Sequence, residues 1–221
     1  MCDLITKHGV WKLFLSIVIC GIVAFVTWIA FHPKEVIQYI REIQIEIDDT
    51  YHSNMLSYRM EIEPKIDKIL QATMDSLNAS RIFILEPHNG TSTLNGIPFW
   101  YLNMSFERTR HDVSEVKRLY KDIEANEFPL AYHVFCDHEW MGTIDELSKI
   151  DTKLARFMTV NDAEYMDVIA MMGTDTFLGF VGITYTNVED VPDQTKRLSV
   201  LHSAVQRITI YLDGYGRKNT R

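Results

Sequence analysis

The sequence predicts an α+β protein: a single N-terminal transmembrane helix, a helical stalk, then an antiparallel sheet flanked by helices. Three observations carry this. Leu13 to Phe31 is a run of nineteen residues without a formal charge. From Val36 to Ile69 apolar residues recur every three or four positions. From Arg81 onward that period gives way to short apolar runs separated by Gly, Pro, Asn and Asp, the pattern of strands and turns.

The charge-free run comes first. As a helix rising about 1.5 Å per residue it covers roughly 29 Å, close to the hydrocarbon thickness of a bilayer. Trp11 and Trp28 stand near its ends, where indole rings favour the interface. The run is longer than the core of a secretory signal, about 7–15 residues, and no small-x-small cleavage pattern follows it. The expectation is an uncleaved signal anchor spanning Leu13 to Phe31. Residues 1–12 then form a short cytoplasmic N-terminus, held inside by Lys7, Lys12 and the α-amino group. The larger part lies in the periplasm of a cell whose inner membrane holds the span. Ser16, Cys20, Ala24 and Thr27 fall on one side of the helical wheel. Such small and hydroxyl-bearing side chains let helices approach closely in lipid, so they form a candidate seam for a homo-oligomer.

Residues 34–78 read as an amphipathic helical stalk. Val36, Ile40, Ile43, Ile47, Tyr51, Met55, Tyr58, Ile62, Ile66 and Ile69 make its apolar stripe, which faces either the following domain or another copy. Pro64 lacks an amide proton, so the sequence predicts a kink or restart near Glu63, with about 28 residues before it and about 14 after.

Residues 79–213 form the globular domain. Ile82 to Leu85 reads as a strand and Glu86 to Gly90 as a turn. A second strand centres on Pro98 to Leu102. Ser114 to Asn126 reads as a helix and Leu130 to Phe135 as a strand. Thr143 to Phe157 reads as a helix opened by Thr143-Ile144-Asp145-Glu146, a capping-box spacing. Tyr165 to Met172 and Leu178 to Thr186 read as strands joined through residues 173–176. Asp193 to Tyr211 is a closing amphipathic helix, and 214–221 is a tail. The expected arrangement sets the helices on one face of an antiparallel sheet. Over Ile66 to Leu212 this element order resembles the GAF/PAS class of sensor domains, in which long first and last helices pack together against one sheet face.

Composition excludes some functions. With 22 Lys+Arg against 30 Asp+Glu the chain carries a formal −8, which argues against nucleic acid and against docking on anionic lipid. Cys136 alone lies in the domain, so no disulfide forms within it; a buried free thiol or a bridge between copies remains. No nucleophile elbow, metalloprotease helix, phosphate-binding loop or dinucleotide turn is present, so no catalytic residue and no cofactor is expected. His133, Cys136, Asp137 and His138 are metal-ligand types, but on a strand alternate residues face opposite sides, so no metal site is expected. Three glycosylation sequons begin at Asn78, Asn89 and Asn103. The candidate ligand pocket is His88, Trp100 and Tyr101, with Phe106, Met171 and Met172 as further apolar candidates.

Output is expected to come from assembly of the span or from a separate partner, because neither flank leaves room for a kinase, cyclase or DNA-binding module. A strand reading Gly179-Phe180-Val181-Gly182-Ile183-Thr184-Tyr185, followed by a helix with Arg197, Leu198, Ala204 and Ile208, resembles the C-terminal end of the single-span (class III) holins of T-even phages. The whole layout is similar too: short N-terminus, one span, one outer domain. The segment before the span is shorter here. That resemblance implies a lysis timer that accumulates in the host inner membrane, oligomerises, opens lesions that release endolysin, and is restrained through its outer domain by an antiholin. The other reading is a membrane-anchored GAF/PAS-like ligand-binding or sensory module acting through a separate partner.

Overall fold

The computed structural model describes residues 2–92, 98–137, 139–174 and 176–218. They form two compact units, Met1–Ser57 and Tyr58–Arg221.

The first unit is helical. Helix α1 is Cys2–Phe31 and helix α2 is Pro33–Leu77. Pro33 takes the first position of α2, where a missing amide proton costs nothing. The His32 and Val36 amides still donate to the Trp28 and His32 carbonyls, at 3.0 and 3.1 Å. Phe14, Ile17, Ile22, Phe25 and Phe31 are exposed along α1. Among the described residues no helix is long and apolar enough to cross a membrane. The span expected at Leu13–Phe31 is corrected to that extent. The side chains of Phe14 to Ile29 are among the described residues. Those of Leu13 and Ala30 lie outside the described residues.

Helix α2 runs through Pro64 without the expected restart. The carbonyl that Pro64 leaves unbonded belongs to Met60, an exposed residue, where water can satisfy it. From Tyr58 onward α2 belongs to the second unit, and Ile62, Ile66, Ile69, Leu70 and Met74 are buried there.

The second unit is built on one antiparallel sheet. Its strands are β1 (Arg81–Ser92), β2 (Pro98–Thr109), β3 (Ile123–Glu124), β4 (Trp140–Thr143), β5 (Tyr165–Met172) and β6 (Phe177–Tyr185). Their order is β3-β2-β1-β6-β5-β4. Short helices α3 (Pro129–Asp137), α4 (Ile144–Ser148) and α5 (Thr152–Val160) lie between β3 and β5, and α6 (Gln194–Lys218) closes the unit.

Side chains of a strand alternate between faces, and here both faces are buried. Ile82 and Ile84 of β1, Ile169 and Met171 of β5, and Val181 and Ile183 of β6 pack with α2 and α6. Phe83, Val168 and Phe180, their neighbours in sequence, pack with α3, α4 and α5. The expectation of helices on one face only is therefore corrected: short helices cover the second face. In β2 a register shift opposite Ile84 and Leu85 inserts Ser105 as a bulge. The bulge puts Phe106 on the α2/α6 face and Met104 on the other, although the two are separated by an even number of positions.

Four further expectations change. The segment 86–90 is strand, not turn. β1 pairs with β6 only from Arg81 to Leu85, so Pro87 sits where that side of the strand needs no amide donor. Residues 114–126 are not one helix but 3₁₀ turns at Lys117–Leu119 and Ala125–Glu127 around β3. The Glu107 carboxylate accepts the Val116 and Lys117 amides at 3.0 and 2.7 Å, which diverts the backbone. Residues 130–135 are helical, within α3. Residues 143–157 divide into α4 and α5, because the Asp151 carboxylate caps a new start by accepting the Leu154 amide at 3.0 Å. The capping box at Thr143 and Glu146 forms as its spacing predicts.

Two glycines on β6 are required by close approach. At Gly182 an added Cβ would stand 2.2 Å from the Phe83 ring, and at Gly179, with φ +125°, 2.0 Å from the Leu85 carbonyl oxygen. Gly182→Ala is expected to lower unfolding free energy by about 1–3 kcal/mol, the usual penalty of overpacking against a side chain that can shift. Gly179→Ala is expected to lower it further, since a backbone carbonyl cannot step aside and the conformation itself is strained. Urea denaturation followed by far-UV circular dichroism ranks the two; equal stability of both variants with wild type would refute the packing described.

Helix α6 is tied to the sheet by Arg197, whose Nε donates to Asp167 Oδ2 at 2.8 Å and whose Nη2 donates to the Tyr165 hydroxyl at 2.6 Å. Both charged groups are buried. Arg197→Met is expected to destabilise by about 3–5 kcal/mol by leaving a buried unpaired carboxylate, and Arg197→Met with Asp167→Leu to recover most of that loss. Burial raises the Asp167 pKa above its ordinary 3.8, against the lowering effect of Arg197. The folded state then holds the proton more tightly than the unfolded chain. Wild type should lose stability as pH rises from about 3.8 through the raised value, whereas Asp167→Asn should lack that component. Chemical denaturation across pH 3–7, set by those limits, is the check.

Candidate functional site

On the sheet face away from α2 and α6 lies a cavity of about 60 Å³. Each wall follows from local sequence. Strand alternation brings Phe83 and Leu85 of β1, Leu102 of β2, Met166 and Val168 of β5, and Phe180 of β6 to one side. Helix α3 contributes Ala131, Tyr132 and Phe135 at spacings of one to four, and α5 contributes Leu154, Phe157 and Met158. Ile123, Ala125 and Phe128 close the end beside β3.

Aromatic rings set the shape. Phe180 meets Tyr132, Phe135 and Phe177 edge-on, with centroids 5.8, 6.1 and 4.9 Å apart. Phe157 stacks with Phe128 at 6.4 Å and tilts against Tyr120 at 4.7 Å. Such edge and offset contacts add to the area term and hold ring orientation. The polar tips near the cavity are already engaged. The Tyr132 hydroxyl interacts with Cys136, and burial, more than that contact, pushes its pKa up to about 12. The Tyr120 hydroxyl accepts from Asn161 Nδ2 at 3.3 Å and donates to the Met158 sulfur at 3.8 Å; burial again raises its pKa to about 12.

A buried ion pair frames the same face. Arg81 Nε stands 2.9 Å from Glu107 Oε1. Its two terminal nitrogens donate to the Ser114 and Asn161 carbonyls at 2.9 and 3.2 Å. One side chain thus joins β1, the loop after β2 and the end of α5.

The structure brings His88 and Tyr101 together. They face each other across β1 and β2, with rings stacked at 5.6 Å and His88 Nε2 3.2 Å from Asp122 Oδ1. Trp100 pairs through its backbone with Asn89; its side chain lies outside the described residues. This cluster is on the ribbon beyond the β6 pairing, and the cavity lining does not include it. Phe106 and Met171 pack in the core under α2 and α6, and Met172 is exposed. On α1 Ser16, Cys20, Ala24 and Thr27 are exposed, and Thr27 Oγ1 donates to the Val23 carbonyl at 2.7 Å.

His133 and Cys136 lie on α3 rather than a strand; Cys136 is half-buried and interacts with Tyr132. The Asp137 side chain and His138 are outside the described residues. Among the described residues no group of three His, Cys, Asp or Glu side chains could hold a metal ion. The cavity lining escaped the sequence reading because its contributors are dispersed over eight segments. The available signal was the alternation of Phe83 with Ile82 and Ile84, and of Phe180 with Val181.

No protein-family model matches the chain, and no curated protein matches it in sequence. Solved structures do match in shape. The blue-light-absorbing GAF domain of PixJ from Thermosynechococcus elongatus superposes with a TM-score of 0.58 at 9% identity, over 75% of this chain and 92% of that one. A phycoerythrobilin-bound GAF domain from a cyanobacterial phytochrome gives 0.51 at 10% identity, over 77% and 96%. A domain assigned to a two-component sensor histidine kinase of Sinorhizobium meliloti gives 0.50 at 12% identity, over 72% and 98%. No comparison supports the resemblance to single-span holins. The chain has a GAF-like fold, with an antiparallel sheet between a helical pair and a set of short helices.

Proposed function

We propose that this protein is a GAF-like ligand-binding or sensory module, held at a membrane through α1 and acting through a separate partner rather than through catalysis. The observation that carries the reading is the apolar cavity on the sheet face opposite α2 and α6. A pre-formed apolar pocket lined by rings is the usual form of a small-molecule site. The solved structures of similar shape include a GAF domain bound to phycoerythrobilin and a domain assigned to a sensor histidine kinase, and both fit a role in sensing. The apolar exposed surface of α1 supports attachment to a membrane. Association between copies through Ser16, Cys20, Ala24 and Thr27 is part of the same proposal. The lysis reading is set aside because no comparison supports the resemblance on which it rests.

Thermal denaturation of the purified full chain against cyclic nucleotides, bilins, carboxylates and small apolar compounds tests the ligand-binding role. At least one class should raise the melting temperature with dose, the stabilisation reaching about 2.7 kcal/mol at a hundredfold excess over Kd. Silence across all classes would remove the proposal. In parallel, inducible expression in a bacterium should leave culture density steady, and abrupt collapse would restore the lysis reading.

Membrane attachment is tested by fractionation. The full chain should sediment with membranes through an alkaline wash and require detergent for release, whereas a variant lacking residues 2–31 should remain in the supernatant. Equal solubility of both forms would detach α1 from any membrane role.

A further inference from the structure

The chemistry of the cavity narrows its ligand. Its lining presents no polar surface. Tyr132, the one lining side chain with a hydroxyl, interacts with Cys136 on its own helix. Burying a charged group where nothing can bond it costs several kcal/mol or more. A carboxylate, phosphate or ammonium entering here would meet that penalty in full. Water is disfavoured for the same reason, since a buried water needs two to four polar partners. An apolar guest loses only its own hydration and gains contact with close-packed rings. At about 60 Å³ the space is far below the roughly 300–1,000 Å³ of a drug-sized site.

We infer that the cavity between the sheet and α3 selects a small uncharged apolar molecule and rejects charged ligands, including nucleotides. The inference rests on the ligand-binding reading above and names the ligand class for it. Selection comes from what the lining lacks. Phe83, Phe180 and Phe157 supply dispersion contact from three elements, and no donor or acceptor is free to reward a polar group.

Two methionines in the lining make the test local. Met158 and Met166 border the cavity, whereas Met74 and Met171 are buried in the core on the opposite face. The full chain, labelled at methionine methyls and held in detergent, is titrated with xenon, dichloromethane, formate and cyclic GMP while methyl resonances are followed. Xenon and dichloromethane should shift Met158 and Met166 and leave Met74 and Met171 in place. Formate, which matches dichloromethane in heavy-atom count but carries a charge, should shift neither pair, and cyclic GMP likewise.

Ala131 is fully buried in the cavity wall. Ala131→Leu should abolish the Met158 and Met166 responses while the Met74 and Met171 resonances keep their wild-type positions, which shows that the fold survives. If that variant does not fold, the wild-type contrast between dichloromethane and formate decides alone. Shifts of both methionine pairs by xenon, or an undiminished response in Ala131→Leu, would overturn the inference. If formate or cyclic GMP moves Met158 and Met166 while the apolar guests do not, the ligand class is wrong but ligand binding stands. If no probe of either kind moves them, and the broader thermal screen is also silent, both fall.

Discussion

The contact between Arg197 and Asp167 is the constraint on which the layering of the domain depends. Asp167 sits on β5 among apolar neighbours, where alternation points it toward α6. One of its oxygens accepts a hydrogen bond from Arg197 Nε, while the other is buried with no hydrogen-bond partner among the described residues. That imbalance explains why burial outweighs the cation and raises the carboxyl pKa. Arg197 is better served. It also donates to the Pro192 carbonyl and the Tyr165 hydroxyl, and its guanidinium lies 4.9 Å from the Tyr165 ring centroid. A pair of this kind contributes little net stability compared with an apolar replacement, yet it penalises every register of α6 that fails to bring the two together. It fixes which turn of α6 meets which residue of the sheet.

With α6 placed, one face of the sheet is committed, and the other is free to form a cavity. The bulge at Ser105 matters here. Without it Phe106 and Met104 would share a face, and either the helix-side core or the cavity side would lose a large side chain. Arg59 then crosses to β1 and β2, bonding Glu86 at 2.9 and 2.7 Å and standing 4.7 Å from the Phe106 ring centroid. The glycines of β6 belong to the same logic. Gly182 lets the Phe83 ring lie against the strand, and Phe83 is a cavity wall.

Much of the fold was legible in the sequence where periodicity was strong. Strands β5 and β6, helix α6, the Thr143 capping box and the GAF-like order follow from patterns within a few residues. The misread elements were decided by distant partners. Pro87 reads as a turn until one sees that β6 stops pairing at Leu85. The segment after Ser114 has helical composition, but the Glu107 carboxylate claims its amides. Leu130 to Phe135 is apolar and short, and such runs suit helix or strand equally until packing chooses. Of the candidate site, His88 and Tyr101 lie side by side on β1 and β2 but outside the cavity, whose walls, at most three residues from any one element, left no local signature. The GAF-like class was visible in element order alone; the holin resemblance rested on a Gly-containing strand and a terminal helix, and the packing needs of Gly179 and Gly182 account for those glycines without it.

Among the described residues of the second unit, the sheet separates the cavity from the α2/α6 pair. Phe83 faces the cavity, and Ile82 and Ile84 on either side of it face the helices; Phe180 and Val181 repeat this on β6. Consecutive residues of a strand are about 3.3 Å apart along the chain, so a displaced cavity ring and a helix contact are joined by one or two peptide units. A guest can bias the domain only by binding one arrangement of these strands better than another. In a close-packed interior a ring cannot move without its neighbours. Phe83 and Gly182 are paired across β1 and β6, which leaves no room for a side chain between ring and strand. An occupied cavity therefore has its shortest mechanical path to α6 through these two strands, and α6 in turn is held to β5 by Arg197.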